Sequence, residues 1–288
     1  MKLIRPSVEI REQKAGDDGL FEHIEWAGRH CYKSHDKTTA DSARQFVGRI
    51  AKSGHGSVLE HGTIYLSIPA ADMPTELLIN PYTKCVRCHT PAIETWYAVT
   101  TNYRVIVENN WDLLLMYQTE PTPSHEKRIT VKFTCDRGVS HEFVRHRTLS
   151  ASQESQRYCN YGKEKFGNQI TFIRPSWWNS KSADKENFKK ALLKAEKTYL
   201  DAIKGWEERK SDKRFRTKLK GNPLSPQMAR MILPNATKTE LVMTGFESDW
   251  KHFLELRCSP AAHPDARYLA NKLKTLITVN NGKDKGQI

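Results

Sequence analysis

Apolar residues recur at helical spacing in two early segments, Leu20, Ile24, Ala27 and Cys31, then Ala43, Phe46, Val47 and Ile50, with a stop at Gly54. Each predicts an amphipathic helix. After Gly62 the period falls to two, with Ile64, Leu66 and Ile68 on one face and Thr63, Tyr65 and Ser67 on the other, a strand closed by Pro69. Thr100 to Val107 reads as a second strand. Ile129, Val131, Phe133 and Cys135 alternate with Thr130, Lys132 and Thr134 up to the turn signal Asp136-Arg137-Gly138. That predicts a third strand, followed by a short helix from Ser140 to Arg147 capped by Ser140. Gln169 to Ile173 is a further short strand, closed by Pro175. Phe188, Leu192, Ala195, Tyr199, Ala202 and Trp206 mark a long helix with a charged outer face, and Pro223 and Pro226 bracket the next helix start. Glu240 to Thr244 suits a strand. Trp250, Phe253 and Leu254 open a helix that returns to the same face at Arg257, and Ala266, Leu269, Leu273 and Leu276 mark the last one. With no internal repeat and no linker-like break, the expected fold is α+β. One domain over residues 1–278 would carry a mixed or antiparallel sheet flanked by helices, before a polar tail at 279–288.

The balance of 46 Lys+Arg against 33 Asp+Glu leaves a net charge of +13, a field that attracts anions. Seven Trp, ten Tyr and ten Phe supply ample surface to bury, which argues against disorder. No stretch approaches the ~18 apolar residues of a spanning helix, so no membrane partner is expected. The six cysteines (Cys31, Cys85, Cys88, Cys135, Cys159, Cys258) are scattered, and the N-terminal segment lacks a signal-peptide core, so the expected compartment is the reducing cytoplasm. The lysines of 181–220 and 280–288 read as solvated faces. Arg145, Arg147, Arg157, Arg230 and Arg257 are more informative, because they stand in or beside apolar segments where a guanidinium calls for an anionic partner.

The densest chemistry lies from Arg145-His146-Arg147 to Tyr158, which gathers guanidiniums, an imidazole, serine hydroxyls, side-chain amides and a phenol. Guanidiniums bind phosphate by paired charge-assisted hydrogen bonds, and hydroxyls and amides read a ribose or a base edge, so the mixture suits a nucleotide. A polar loop whose arginines pair with nearby carboxylates is the plainer alternative. Cys85-Val86-Arg87-Cys88-His89 has the string of a haem-attachment site, but without an export signal or a second ligand pair two loop thiols are expected and no metal. There is no phosphate loop, no nucleophile elbow and no Rossmann glycine fingerprint.

The string RHRTLSASQESQRY, Arg145 to Tyr158, resembles the signature of the flavin-dependent thymidylate synthases, in which an RHR triplet precedes a serine, another residue, arginine and tyrosine. HGSVLEHGT (His55 to Thr63), TNYRVIVEN (Thr101 to Asn109), DRGVSHEFVRHR (Asp136 to Arg147) and HFLELR (His252 to Arg257) resemble further segments of that family in the same order. The resemblance implies a non-Rossmann α+β fold and a homotetramer with active sites shared between subunits. It also implies reductive methylation of dUMP to dTMP with FAD, NADPH and 5,10-methylenetetrahydrofolate, without a cysteine nucleophile. Carried over by position, Thr63, His61, Arg145, His146, Arg147, Gln153 and His252 would face the flavin. Glu142, Arg145, Gln153, Glu154, Ser155, Gln156, Arg157, Arg230 and Arg257 would line the nucleotide site. Of these, Ser155 would lie near the reacting base, Arg230 would hold phosphate, and Arg257 would hold the uracil in its N3-ionised form.

The chain departs from that pattern where many members carry an Asn and an Arg toward the flavin, since it has Phe246 and Ser248 there, and His252 replaces a further Asn. The residues after Arg257 align poorly, which leaves open whether His263 takes the place of a flavin-contacting histidine. A basic nucleotide- or nucleic-acid-binding protein that keeps the fold without flavin is the competing reading. It ranks behind the enzyme because no contiguous Lys/Arg stripe with exposed aromatics is evident, although Trp177-Trp178 beside Arg174 and Lys181 offers a stacking surface.

Overall fold

The computed structural model describes residues 1–90, 93–179, 184–211 and 225–284. Pro223, Lys181 and the two ends of the lysine-rich 181–220 segment, with the end of the tail, lie outside the described residues. The strands are β1 (Lys2–Ile4), β2 (Ser7–Arg11), β3 (Thr63–Pro69), β4 (Lys84–Thr90), β5 (Ile93–Asn102), β6 (Arg128–Asp136), β7 (Ser150–Gln153), β8 (Thr171–Ile173) and β9 (Lys238–Phe246). They pair as an antiparallel sheet in the order β2-β6-β9-β7, a second antiparallel sheet β3-β5-β4, and a parallel pair β1-β8. The helices are α1 (Gly16–Tyr32), α2 (Ser42–Lys52), α3 (Thr75–Leu78), α4 (Tyr103–Asn109), α5 (Arg137–Phe143), α6 (Asp184–Ser211), α7 (Pro226–Ala229), α8 (Glu247–Arg257) and α9 (Pro264–Asp284). This is the expected α+β class.

The central sheet has two unlike faces because β6 and β9 pair in register with period-two side chains. On one face Val131, Phe133, Leu241 and Met243 bury against Phe143 of α5, Trp250 and Phe253 of α8 and Leu269 and Leu273 of α9. Phe133 is wholly buried, with ring centroids of Phe143, Phe253 and Trp250 at 4.8, 6.0 and 6.3 Å. The opposite face carries Arg128, Thr130, Lys132 and Thr134 from β6 and Lys238, Glu240, Thr244 and Phe246 from β9, and α1 reaches it through His23 and His30. A second core joins Leu20 and Ile24 of α1 and Phe46 of α2 to Ile64, Leu66 and Ile68 of β3. Gly62 permits that approach, since a Cβ there would stand 2.6 Å from both Leu20 and Ile24. A third core gathers Tyr161, Phe172 and Tyr199 beneath α6.

Two expectations are corrected. Thr100 to Val107 is not one strand: β5 ends at Asn102, whose Oδ1 accepts the Val105 N–H at 3.2 Å and starts α4. The β-branched run Val105-Ile106-Val107 imitates a strand, but the cap decides. Ser140 is not a cap either. α5 begins at Arg137 under Asp136, whose Oδ1 accepts from Val139 N at 2.9 Å, while Ser140 Oγ donates back to the Arg137 carbonyl at 2.9 Å. The helix ends at Phe143, so Arg145-His146-Arg147 falls in the turn beyond it.

Candidate functional site

That turn is held by backbone bonds from His146 N to Phe143 O and from Leu149 N to His146 O, each 3.1 Å. Leu149 then seats on Gly245 of β9, where any side chain would collide with it. The turn splits its side chains. The side chains of Arg145 and Arg147 are exposed, with no hydrogen bond or ion pair among the described residues. His146 turns inward, its ring centroid 4.8 Å from that of Phe253 and 6.1 Å from that of His252. Arg257, at the end of α8, donates Nε to His146 Nε2 at 3.0 Å. Its Nη1 and Nη2 donate to Glu142 Oε2 and the Glu142 carbonyl, each at 2.6 Å. Accepting at Nε2 places the His146 proton on Nδ1. Burial, then Arg257 and His252, push His146 down to about 4, so it is neutral beside a fixed cation. The partner that Arg257 called for is therefore met within the chain by Glu142.

Along β7 and the loop after it, Gln153 Nε2 donates to Ser140 Oγ at 2.6 Å, tying the loop to α5. Ser155 N donates to the Cys31 carbonyl at 2.9 Å, and Arg157 Nε donates to Gln227 at 3.1 Å, near exposed Arg230. Arg137 stands close enough to Arg230 to feel its charge. Gln156 Nε2 is buried without a partner. Glu154 points the other way, where it accepts from Tyr161 Oη at 2.9 Å and Lys238 Nζ at 2.8 Å and lies 3.7 Å from Lys33. Glu240 completes the group by pairing with Lys33 and Lys238. Burial alone would raise Glu240, but Lys238 and Lys33 outweigh it and hold the carboxyl down to about 2. Cys159 is 1% exposed, and burial together with Glu154 pushes its thiol up to about 12.

His61 and Thr63 lie at the other end of the polar face. His61 Nδ1 meets Thr244 Oγ1 at 2.8 Å, Thr244 meets Thr130 at 2.8 Å, and Thr130 meets His23 Nε2 at 2.9 Å. His61 Nε2 and His23 Nδ1 have no partner, and burial drives both imidazoles to about 3. Gln13 clasps the Thr63 backbone with two 2.8 Å hydrogen bonds, and Arg128 donates to Thr63 Oγ1 at 3.3 Å. Thr63 and Arg128 line a cleft of about 380 Å³. Ser248 lines another of about 720 Å³ along α8, its N–H on Glu126 at 3.1 Å. Phe246 is buried. His252 is exposed, and His263 Nδ1 accepts the Asp265 N–H at 3.3 Å near the start of α9.

The fold thus brings Glu142, His146, His252 and Arg257 together, holds Gln153 to the same helix as Glu142, and leaves Thr63 and His61 in a separate group. Arg128, Arg137 and Lys238 were not singled out in the sequence. Arg128 had one available signal, a cation directly before an alternating core strand. Cys85 and Cys88 fall on β4, where a three-residue spacing puts them on opposite faces. Trp177 and Trp178 pack on Phe188 at 5.2 and 6.3 Å between centroids. No helix among the described residues is long and apolar enough to cross a membrane.

The fold is α+β and lies outside the dinucleotide-binding class, with two exposed arginines beside a neutral, arginine-paired imidazole. The Thy1 family model, described as thymidylate synthase complementing protein, matches residues 93–279, and the chain belongs to that family. Named relatives include the flavin-dependent thymidylate synthase of Mycobacterium bovis, 32% identical over 88% of this chain and 73% of the relative. Those of Mycolicibacterium vanbaalenii and Mycolicibacterium gilvum are 26% and 25% identical, over 88% and 95% of this chain and 73% and 81% of theirs.

Proposed function

We propose that the chain is an FAD-dependent thymidylate synthase that converts dUMP to dTMP, with 5,10-methylenetetrahydrofolate as carbon donor and NADPH as reductant. The observation that carries the reading is Arg257 fixed between Glu142 and neutral His146 beside the exposed Arg145 and Arg147. Two guanidiniums without a carboxylate partner suit contact with a polyanionic flavin dinucleotide, and Thr63 and His252 would complete its contacts. The bound flavin supplies hydride delivery from NADPH to the transferred carbon.

Three of the five N–H groups of Arg257 are committed to His146 and Glu142, which leaves two to meet a uracil edge. A cation held there favours the N3-ionised ring and so makes C5 more nucleophilic. Because His146 is neutral, it orients the guanidinium without repelling it. Arg157 and Arg230, with Arg137 beside them, would take the nucleotide phosphate, while Ser155 and Gln153 border the base. The buried, protonated Cys159 is unsuited to attack carbon. The exposure of Arg145 and Arg147 supports sites completed by a neighbouring subunit, as in the homotetramer that the resemblance implies.

The test is anaerobic turnover of FAD-loaded protein with NADPH, dUMP and methylenetetrahydrofolate, with dTMP as the product measured. Arg257→Ala is expected to lower kcat/KM at least a hundredfold, about 3 kcal/mol or more. Formation of dTMP at the wild-type rate by that variant removes Arg257 from the mechanism, and no dTMP from the wild type removes the function.

A further inference from the structure

The cleft beside Thr63 holds a charge that the fold does not neutralise. Arg128 opens β6 opposite Phe246 of β9. Its guanidinium donates to the Glu60 carbonyl at 2.9 Å and to Thr63 Oγ1 at 3.3 Å, both uncharged oxygens, and its enclosed Nε has no partner. The two carboxylates whose charges reach it, Glu60 and Asp249, are bonded to other groups. Glu60 Oε1 accepts from Arg104 at 2.6 Å, and Asp249 Oδ2 accepts the Phe246 N–H at 3.2 Å. Bracing a carbonyl needs only a neutral donor, whereas a guanidinium here bears the desolvation of a full charge with no anion in contact. Burial accordingly lowers Arg128 to about 10. Lys84 adds a second cation nearby, since its Nζ and the Arg128 guanidinium each lie 5.6 Å from the centroid of the Phe246 ring.

The cleft itself offers apolar walls from Ile10, Ile129 and Ile277 and the hydroxyls of Thr63 and Tyr65; Glu12, Glu120 and Glu247 also line it and are matched in number by Arg11, Lys14 and Lys127, so that Arg128 is the cation in excess. Apolar walls around a fixed guanidinium suit a ligand that joins a flat apolar part to a doubly charged phosphate chain. Phe246 and Ser248 offer that chain no charge, and Arg128, directly across the ladder from Phe246, does.

We propose that Arg128 anchors the diphosphate of a dinucleotide in this cleft, and, resting on the function proposed above, that the dinucleotide is FAD. The nicotinamide dinucleotide carries the same diphosphate, so the test must separate the two sources. Wild type, Arg128→Met and Arg128→Gln would be titrated calorimetrically with FAD, riboflavin, NADPH and inorganic pyrophosphate, with thermal melting and dUMP binding as checks of folding. The expected result is FAD affinity at least tenfold weaker in Arg128→Met with riboflavin affinity unchanged. Should the methionine variant not fold, Arg128→Gln, which keeps a donor for the Glu60 carbonyl but no charge, carries the same expectation. A loss confined to NADPH supports the anchor and overturns FAD as its occupant. A wild type that takes no FAD but binds pyrophosphate through Arg128 overturns the flavin function and supports the anchor. Equal affinities of wild type and variants for every phosphorylated probe, or no binding of any, overturn the proposal.

Discussion

The two faces of the sheet β2-β6-β9-β7 are built from the same strands at alternate positions, yet they solve opposite problems. The face toward α5, α8 and α9 is apolar apart from Gln153 and Thr239 at its edge, its rings interlocked around Phe133. The face toward α1 passes from compensated charge at Lys238 and Glu240, through the neutral Thr244-Thr130 pair, to an uncompensated guanidinium at Arg128. Apolar contacts are non-directional and set stability, whereas polar groups out of water must each find a partner, so that face sets position and chemistry. The difference is what singles out the Arg128 end of the polar face for the proposed anchor, since there the guanidinium has no carboxylate in contact.

Breaking the apolar face gives the largest expected effect. Phe133→Ala removes a ring with no exposure, and a loss of about 3–5 kcal/mol is expected by urea denaturation. On the polar face, Glu154→Gln leaves Glu240 alone to balance Lys33 and Lys238, for an expected loss of about 2–3 kcal/mol in the same assay. A loss below 0.5 kcal/mol there means that the ion cluster relaxes into water.

Acid separates the two faces without mutation. His23, His30 and His61 are held near 3 by burial, against about 6.5 unfolded, so between those values the unfolded chain binds more protons. Stability is then fully present above pH 6.5 and falls with pH below it, by at most about 1.4 kcal/mol per unit for each histidine. Melting temperatures measured from pH 7 to 4.5 should decline, and His23→Gln with His61→Gln should flatten the slope. A slope unchanged in the double variant would assign the acid sensitivity elsewhere. The smallest effect is expected for Cys159→Ser, which should keep dTMP synthesis within about twofold because the buried thiol takes no part. Loss of turnover with flavin still bound would return that cysteine to the mechanism.

What could be read from the chain depended on range. β3, β6 and β9 were visible because one face of each is apolar at period two, and α1, α2 and α8 because their stripes repeat at 3.6. β1 and β2 were not, since short edge strands such as Lys2–Ile4 and Ser7–Arg11 carry too few apolar positions to set a period. The Arg145 to Tyr158 string marked the site, because a turn dense in guanidiniums is informative by itself. Glu142 and Arg257 were both named by the resemblance, but their pairing was hidden because they are 115 residues apart, and only β6-β9 pairing shows that Arg128 stands across from Phe246. Local pattern reports faces, while the pairing of charges is a property of the assembled sheet.

The contact between Leu149 and Gly245 has a genetic consequence. The arginine turn ends on Leu149, and a Cβ at residue 245 would collide with its Cδ2, so the leucine that anchors the turn must give way to any side chain there. Alleles that add even one methyl group at residue 245 would displace that anchor while every polar group stayed intact. A selection for thymidine auxotrophy should therefore recover Gly245 alongside the charged positions, and an inspection limited to reactive side chains would overlook it.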